Sequence, residues 1–262
     1  MISVTSAQLD AWLVALMLPL ARILGLIASA PLFANRAMSP RIRLAIGLAA
    51  AMAVLPALPD IPPIPADSWF ALGVLAQQAL IGVAIGFMMR LFFAAIDLAG
   101  EMIGLQMGLS FAVFFNPQTG GQSSVVAEFL NLLTLLIFLA LNGHLMLIKV
   151  VVASFEWLPV GGAIQGDAWL IIVRHASAMF AIGVLLALPM VAALLITNIS
   201  LGVLTRAAPQ LNLFAVGFPV TLSVGFVVLL ISLSMFAPMA QHIFERGFDA
   251  IDLLLKGLAG VR

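Results

Sequence analysis

Long uncharged apolar runs alternate with short polar connections along most of the chain. The clearest runs are 69–89, 129–148 and the stretches between Arg174 and Arg206 and between Arg206 and Glu245. A helix of about 20 apolar residues crosses a hydrocarbon core of about 30 Å, so these runs are long enough to span a membrane. Two weaker candidates come first: residues 11–33, which Arg22 interrupts, and the shorter run 44–58.

The apolar pattern predicts an all-α membrane protein with about six long helices. The runs are continuous, whereas lipid-exposed strands would show segments of about ten residues with alternating hydrophobicity. We treat 1–262 as a single domain and place the helices approximately at 11–34, 42–58, 69–112, 125–155, 169–205 and 211–244. We interpret the first run as retained helix rather than a signal peptide, because no Lys or Arg precedes it and Arg22 interrupts it.

The composition agrees with a membrane protein and narrows the function. Of the 262 residues 64% are hydrophobic and 8% are charged, whereas soluble domains have about 45–50% and about 25%. Eleven basic residues balance eleven acidic ones without a basic block, which argues against nucleic-acid binding. There is no cysteine, and we find no nucleotide-binding loop, catalytic motif or histidine pair at metal-binding spacing. We therefore expect neither an enzyme nor a cofactor.

The bias of basic residues predicts the orientation, since cytoplasmic connections carry an excess of Lys and Arg. The first connection, 35–43, holds three arginines and no acid, and the second, 56–67, holds two aspartates and no base. Alternating spans then place these basic residues inside: Arg36, Arg41, Arg43, Arg90 and Arg206. They place these acidic residues outside: Asp60, Asp67, Glu156 and Asp167. With six spans, both termini are extracytoplasmic.

Small residues form two stripes that predict close helix packing. Gly100, Gly104 and Gly108 recur at a spacing of four residues, and Gly82 and Gly86 make a second pair. On a helix such residues share one face and allow another backbone to approach closely.

The segment after the first stripe includes Asn116, and we expect it to break the helix at Pro117 and at the pair Gly120 and Gly121. Phe111, Phe114 and Phe115 directly precede this break. An ordinary interhelical loop is one interpretation. The other is a re-entrant element that constricts a pore, because hydrophobic constrictions close pores by dewetting.

A few polar residues interrupt the apolar runs: Arg22, Asp97, Glu101, Asn142 and His144. For Arg22 we expect a salt bridge or a polar contact with a partner subunit rather than ion conduction. Asp97 and Glu101 share one helical face, either as a solvated surface or as a proton-coupling site, and Arg90 could pair with Asp97. We interpret His144 as a packing residue with a hydrogen bond, not a metal ligand.

Three motifs in this order resemble the FliR/SctT family of export-gate subunits, which flagella and type III secretion injectisomes share. They are GEMIGLQMGLSFAVFFNP at 100–117, FLALNGHLMLI at 138–148 and RAAPQLNLFAVGFP at 206–219. The stretch RILGLIASAPLF at 22–33, followed by a basic connection, is similar to the start of that family. The resemblance covers nearly the whole chain.

The resemblance implies more than the composition does. Members of the family look like a fusion of a FliP-like and a FliQ-like part, and they assemble with FliP and FliQ into a cone-shaped gate for unfolded flagellar proteins. The gate lies in the bacterial inner membrane at the flagellar basal body, partly raised toward the periplasm, and contacts FlhB and FlhA. The segment after the glycine stripe is then a channel plug, which places Phe111, Phe114, Phe115 and 116–124 at the closed gate.

Two rival functions belong to other classes. A proton-coupled secondary transporter for small solutes would use Asp97 and Glu101, and it would act as the purified chain alone. An intramembrane enzyme would need a catalytic constellation that the sequence does not show. The resemblance favours a non-enzymatic gate subunit.

Overall fold

The structure of the protein is a computed structural model that describes residues 5–33, 38–59, 64–65, 68–109, 124–208 and 216–261. These ranges contain helices and connections, and no strand. The helices are α1 (Ser6–Ser29), α2 (Pro40–Val54), α3 (Trp69–Gln106), α4 (Val125–Ala140), α5 (Gly143–Trp157), α6 (Trp169–Ala207) and α7 (Phe218–Ala259). Two short 3₁₀ helices cover Leu55–Ala57 and Gly166–Ala168.

The helices confirm the prediction of an all-α integral membrane protein. By length and composition five segments are able to cross a membrane, namely Trp12–Ser29 in α1, Pro40–Ala57, α3, α6 and α7. α4 and α5 pass the same test together as a bent pair, which raises the number to six within the described ranges. Among the five segments, the mean hydropathy of an 18-residue window is highest in α6, at 2.7.

The chain divides into two compact units, and each has its own core. The first unit comprises residues 1–91, 142–175 and 245–262, and the second comprises 92–141 and 176–244. The long helices α3, α6 and α7 each contribute residues to both units. The prediction of a single domain did not distinguish these units.

The core of the first unit forms where α1 lies against the first half of α3. A methyl group built on Gly25 of α1 would meet the backbone of Ala79 and Val83, so the two helices leave no space there for a side chain. Leu26, Ile81 and Ile85 are buried beside this contact. The end of α7 also belongs to this unit. There the backbone amide of Gln165 donates a hydrogen bond to the Leu258 carbonyl at 2.9 Å.

Three phenylalanines form the centre of the second unit. The rings of Phe93 in α3, Phe138 in α4 and Phe244 in α7 lie with centroids 5.0 to 5.5 Å apart. Edge-on and offset contacts of this kind add to the free energy gained by burial. α6 also packs closely in this unit, because a methyl group on Gly183 would lie 2.8 Å from the Ala95 carbonyl oxygen.

Most helix bounds differ by several residues from the predicted ones, and α1 (Ser6–Ser29) begins and ends earlier than 11–34. Three further differences concern the α4–α5 pair, α3 and α7. The predicted helix 125–155 is two helices, because Asn142 takes the left-handed conformation with φ 57° and ends the first of them. α3 ends at Gln106 instead of 112. α7 continues past 244 to Ala259, because its last part is amphipathic and buries Ile251 and Leu254 while Asp252 stays exposed.

Candidate functional site

The α3–α4 hairpin in the second unit borders the segment that the sequence singles out. The predicted plug residues lie outside the described residues: Phe111, Phe114, Phe115, Asn116, Pro117, Gly120 and Gly121. Leu109 at the end of α3 and Ser124 before α4 are the described residues that flank this segment. We call the region formed by residues 97–109 and 124–131 the hairpin base.

Gly108 ends α3 at the hairpin base. Its amide donates to the Leu105 carbonyl at 3.0 Å, and the Leu109 amide donates to the Gly104 carbonyl at 3.0 Å. These two bonds with Gly108 at φ 80° form a Schellman motif, which satisfies the last carbonyls of a helix and favours glycine. Gly108 therefore lies beyond the helix, and its assignment to the helical packing stripe needs this correction.

Ser124 begins α4 and is held from two sides. Its side chain accepts a hydrogen bond from the Val126 amide at 3.3 Å, as an N-cap residue does. Its own backbone amide donates to the Glu101 carboxylate of α3 at 2.8 Å. Ser124 is buried, with 4% of its surface exposed, so α3 supplies a partner that water would otherwise provide.

The other two glycines of the stripe bring the α4 backbone against α3. A methyl group built on Gly104 would overlap the side chain of Ser124, and one built on Gly100 would overlap the backbone of Ala127. The stripe therefore faces the start of α4 within the same chain.

Asp97 and Glu101 both bind α4. One Asp97 carboxylate oxygen accepts from the Asn131 side-chain amide at 3.1 Å, and Glu101 binds Ser124 as described above. Because the two acids lie four residues apart, they face the same neighbouring helix and hold α4 at two points along its length. Arg90, the partner expected for Asp97, is exposed in the first unit.

A buried arginine organises the first unit. Arg22 has 0% of its surface exposed, and its guanidinium donates to the Gln78 side-chain oxygen, the Ser154 hydroxyl and the Leu158 carbonyl, each at 2.8 Å. Its Cζ lies 3.7 Å from the ring centroid of Phe155. In place of the expected salt bridge or subunit contact, Arg22 joins α1, α3 and α5 through neutral groups of its own chain.

The second glycine pair lies against α1, at this arginine and about two turns further along the helix. A methyl group built on Gly82 would overlap the Arg22 carbonyl, and one built on Gly86 would overlap the Ser29 hydroxyl. Sequence reasoning missed Gly25 and Gln78, which complete the contact. A polar Gln78 inside an apolar run was the available signal for a partner of Arg22.

Asn142 and His144 lie at the start of α5. Asn142 is its N-cap, in a left-handed conformation and without a side-chain capping bond, and its carbonyl accepts from the Leu145 amide at 2.9 Å. The buried Nδ1 of His144 has no hydrogen-bond partner among the described residues. The structure thus places a turn at Asn142, and within the described part of the chain the Nδ1 atom of His144 does not make the hydrogen bond that the sequence predicts.

An apolar cavity of about 300 Å³ lies within the second unit. Its walls include Ile103 of α3, Leu130 of α4, Met190 of α6 and Phe236 of α7. Within the ranges that the structure describes, no group of three or more His, Cys, Asp or Glu side chains is arranged to hold a metal ion.

The chain is similar to export proteins of flagella over almost its whole length. Residues 13–247 match the family described as bacterial export proteins, family 1. The flagellar biosynthetic protein FliR of Escherichia coli K12 is 42% identical over 259 residues, which cover 98% of this chain and 99% of that protein. The protein of the same name from Bacillus subtilis 168 is 30% identical over 251 residues, covering 94% and 96%. That of Aquifex aeolicus is 31% identical over 252 residues, again covering 94% and 96%.

Proposed function

We propose that this chain, which belongs to family 1 of the bacterial export proteins, the family of FliR, lines and seals the channel of the flagellar export gate. It is an integral membrane component of the flagellar export apparatus. The finer role concerns unfolded flagellar proteins, which pass through a channel that the chain helps to form. Residues 111–121 close this channel when no substrate is present.

The observation that supports the seal is the construction of the hairpin base. A segment that plugs a channel needs both ends held at a fixed point, since a loosely held plug would not stay in a narrow opening. Here Gly108 stops α3 sharply, while Glu101 and the glycine stripe hold Ser124 against α3. The base is thus suited to present the segment with Phe111, Phe114 and Phe115 at one defined place.

The structure of the hairpin base offers another role for the two acids that the rival transporter hypothesis uses. Asp97 and Glu101 accept hydrogen bonds from α4, so a structural role accounts for both carboxylates without proton transport. We therefore retain the gate as the proposed function.

The proposed partners and location follow from the family. FliP and FliQ would cover the apolar surface of the chain in the assembled gate, and FlhB and FlhA would contact its cytoplasmic side. The gate would lie in the bacterial inner membrane at the flagellar basal body, partly raised toward the periplasm. Energy for export and selection of substrates would come from other components.

Ion leak through the assembled gate tests the seal. We expect cells that express the gate with Phe111, Phe114 and Phe115 all changed to Ala to lose potassium severalfold faster than wild type, because a hydrophobic constriction blocks ions by excluding water. Phe180→Ala in α6, where the ring is 58% exposed, serves as the matched control.

Assembly is checked by co-purification of tagged FliP and FliQ with each variant. An unchanged potassium leak in a fully assembled triple variant would contradict the sealing role of the three phenylalanines. Uptake of a small solute by the purified chain alone would instead support the transporter.

A further inference from the structure

The backbone amide of Ser124, the N-cap residue of α4, donates its hydrogen bond to a side chain of another helix. In a capping box, the residue three positions after the N-cap returns its side chain to the backbone amide of the N-cap residue. α1 follows this pattern within its own sequence, since the Gln8 side chain accepts from the Thr5 amide at 3.1 Å. In α4 the corresponding position is Ala127, which has no side-chain acceptor.

Close packing explains why Ala127 has a small side chain. It is 1% exposed, and a methyl group built on Gly100 of α3 would lie 2.9 Å from the Ala127 nitrogen and Cβ. A glutamate or glutamine at 127 has no space beside this contact. The helix therefore cannot hold its own capping box while it packs against the glycine stripe.

Glu101 supplies the missing acceptor from the neighbouring helix. It lies one residue after Gly100, on the helix that excludes a larger residue at 127, and its Oε1 is 2.8 Å from the Ser124 nitrogen. A carboxylate at this position also lies near the positive end of the α4 dipole. The contact therefore combines a charge-assisted hydrogen bond with a favourable helix-dipole interaction.

We propose that Glu101 is a positioning residue that caps α4 from α3, and that this cap fixes Ser124 as the residue before the first turn of α4. Its effect on the channel rests on the proposed function, because the cap then sets one end of the sealing segment. Without the cap, the first turn of α4 frays and Ser124 is no longer held at Gly104.

Two readouts on the assembled gate test this role separately. The first is hydrogen exchange of the backbone amides in the first turn of α4. We expect Glu101→Ala to accelerate it on the order of tenfold, since hydrogen bonds to charged groups are among the stronger ones. Glu101→Gln keeps an oxygen acceptor and should restore part of the protection.

Glu128→Gln is the matched control for charge alone. Glu128 is an exposed acid in the same first turn, so its loss weakens only the dipole interaction and should accelerate exchange by less than about fivefold. An equal acceleration in Glu128→Gln and Glu101→Ala would overturn the cap, as would unchanged exchange in Glu101→Ala.

The second readout is the potassium leak of the same variants. We expect a leak in Glu101→Ala, a smaller one in Glu101→Gln and the wild-type rate in Glu128→Gln. A leak in the triple phenylalanine variant but not in Glu101→Ala, with exchange accelerated, would overturn the positioning role and leave the seal intact. Absence of a leak in the triple variant itself would instead contradict the proposed function.

Discussion

At the scale of single residues, Arg22 brings a positive charge into the interior of the first unit. Its hydrogen bonds run from α1 to neutral oxygens of α3 and of α5 with its C-terminal end, and the ring of Phe155 covers one face. Burial of a charged side chain is costly unless its donors are paired, and here the pairing depends on all three segments being in register. Arg22 therefore makes the packing of α1, α3 and α5 interdependent.

We expect Arg22→Ala to lower the free energy of unfolding by about 2–4 kcal/mol, because it leaves buried acceptors unpaired and opens a cavity. Chemical unfolding of the detergent-solubilised chain measures this difference. The matched control is Arg90→Ala, which removes an exposed arginine from α3 and should change stability by less than about 0.5 kcal/mol. Equal effects of the two substitutions would show that the Arg22 hydrogen bonds contribute little.

At the scale of helices, glycine sets how closely α3 approaches its neighbours. Gly82 and Gly86 face α1, while Gly100 and Gly104 face α4, so one long helix carries two close contacts in succession. Such contacts bring the helices close together, which gains dispersion energy.

Two glycines of α3 should respond in opposite directions to the same substitution. Gly82→Ala should destabilise the chain by about 2 kcal/mol or more, since the new methyl group meets the backbone carbonyl of Arg22. Gly73→Ala should stabilise it by about 0.5–1 kcal/mol, because nothing lies within 4 Å of the added group and alanine favours helix. Thermal unfolding of both variants in detergent gives the comparison, and a stabilising Gly82→Ala would refute the close contact.

Much of this helical organisation could be predicted from the sequence, because apolar length and four-residue glycine spacing are local signals. Uncharged runs located α3, α6 and the middle part of α7, and Asn142 was recognised as an interruption. The pairing of Glu101 with Ser124 was not predictable, because its donor is a backbone amide 23 residues away. The same applies to Arg22, whose partners include a carbonyl 136 residues later in the chain.

At the scale of the whole molecule, apolar surface is unevenly distributed among the helices. An 18-residue apolar window of α3 is 67% buried within the chain, whereas the corresponding windows of α6 and α7 are 22% and 17% buried. Many exposed side chains of α6 and α7 are large and apolar, including Leu185, Ile196 and Leu230. Such surfaces need lipid or other subunits around them, and a gate subunit would use both.

We propose that the segment after α3 seals a channel. Chemical modification of a single residue in this segment, after the gate has assembled, tests that role directly. The chain has no cysteine, so Phe114→Cys gives it a single reactive thiol in an assembled gate whose other subunits lack accessible thiols. The measurement is the conductance of that gate in a planar bilayer before and after a positively charged methanethiosulfonate reagent. We expect a stepwise rise in conductance, because a charge introduced into a hydrophobic constriction rewets it. If the conductance stays at the baseline although the thiol is fully modified, and equals that of a Phe180→Cys control, the segment does not seal the channel.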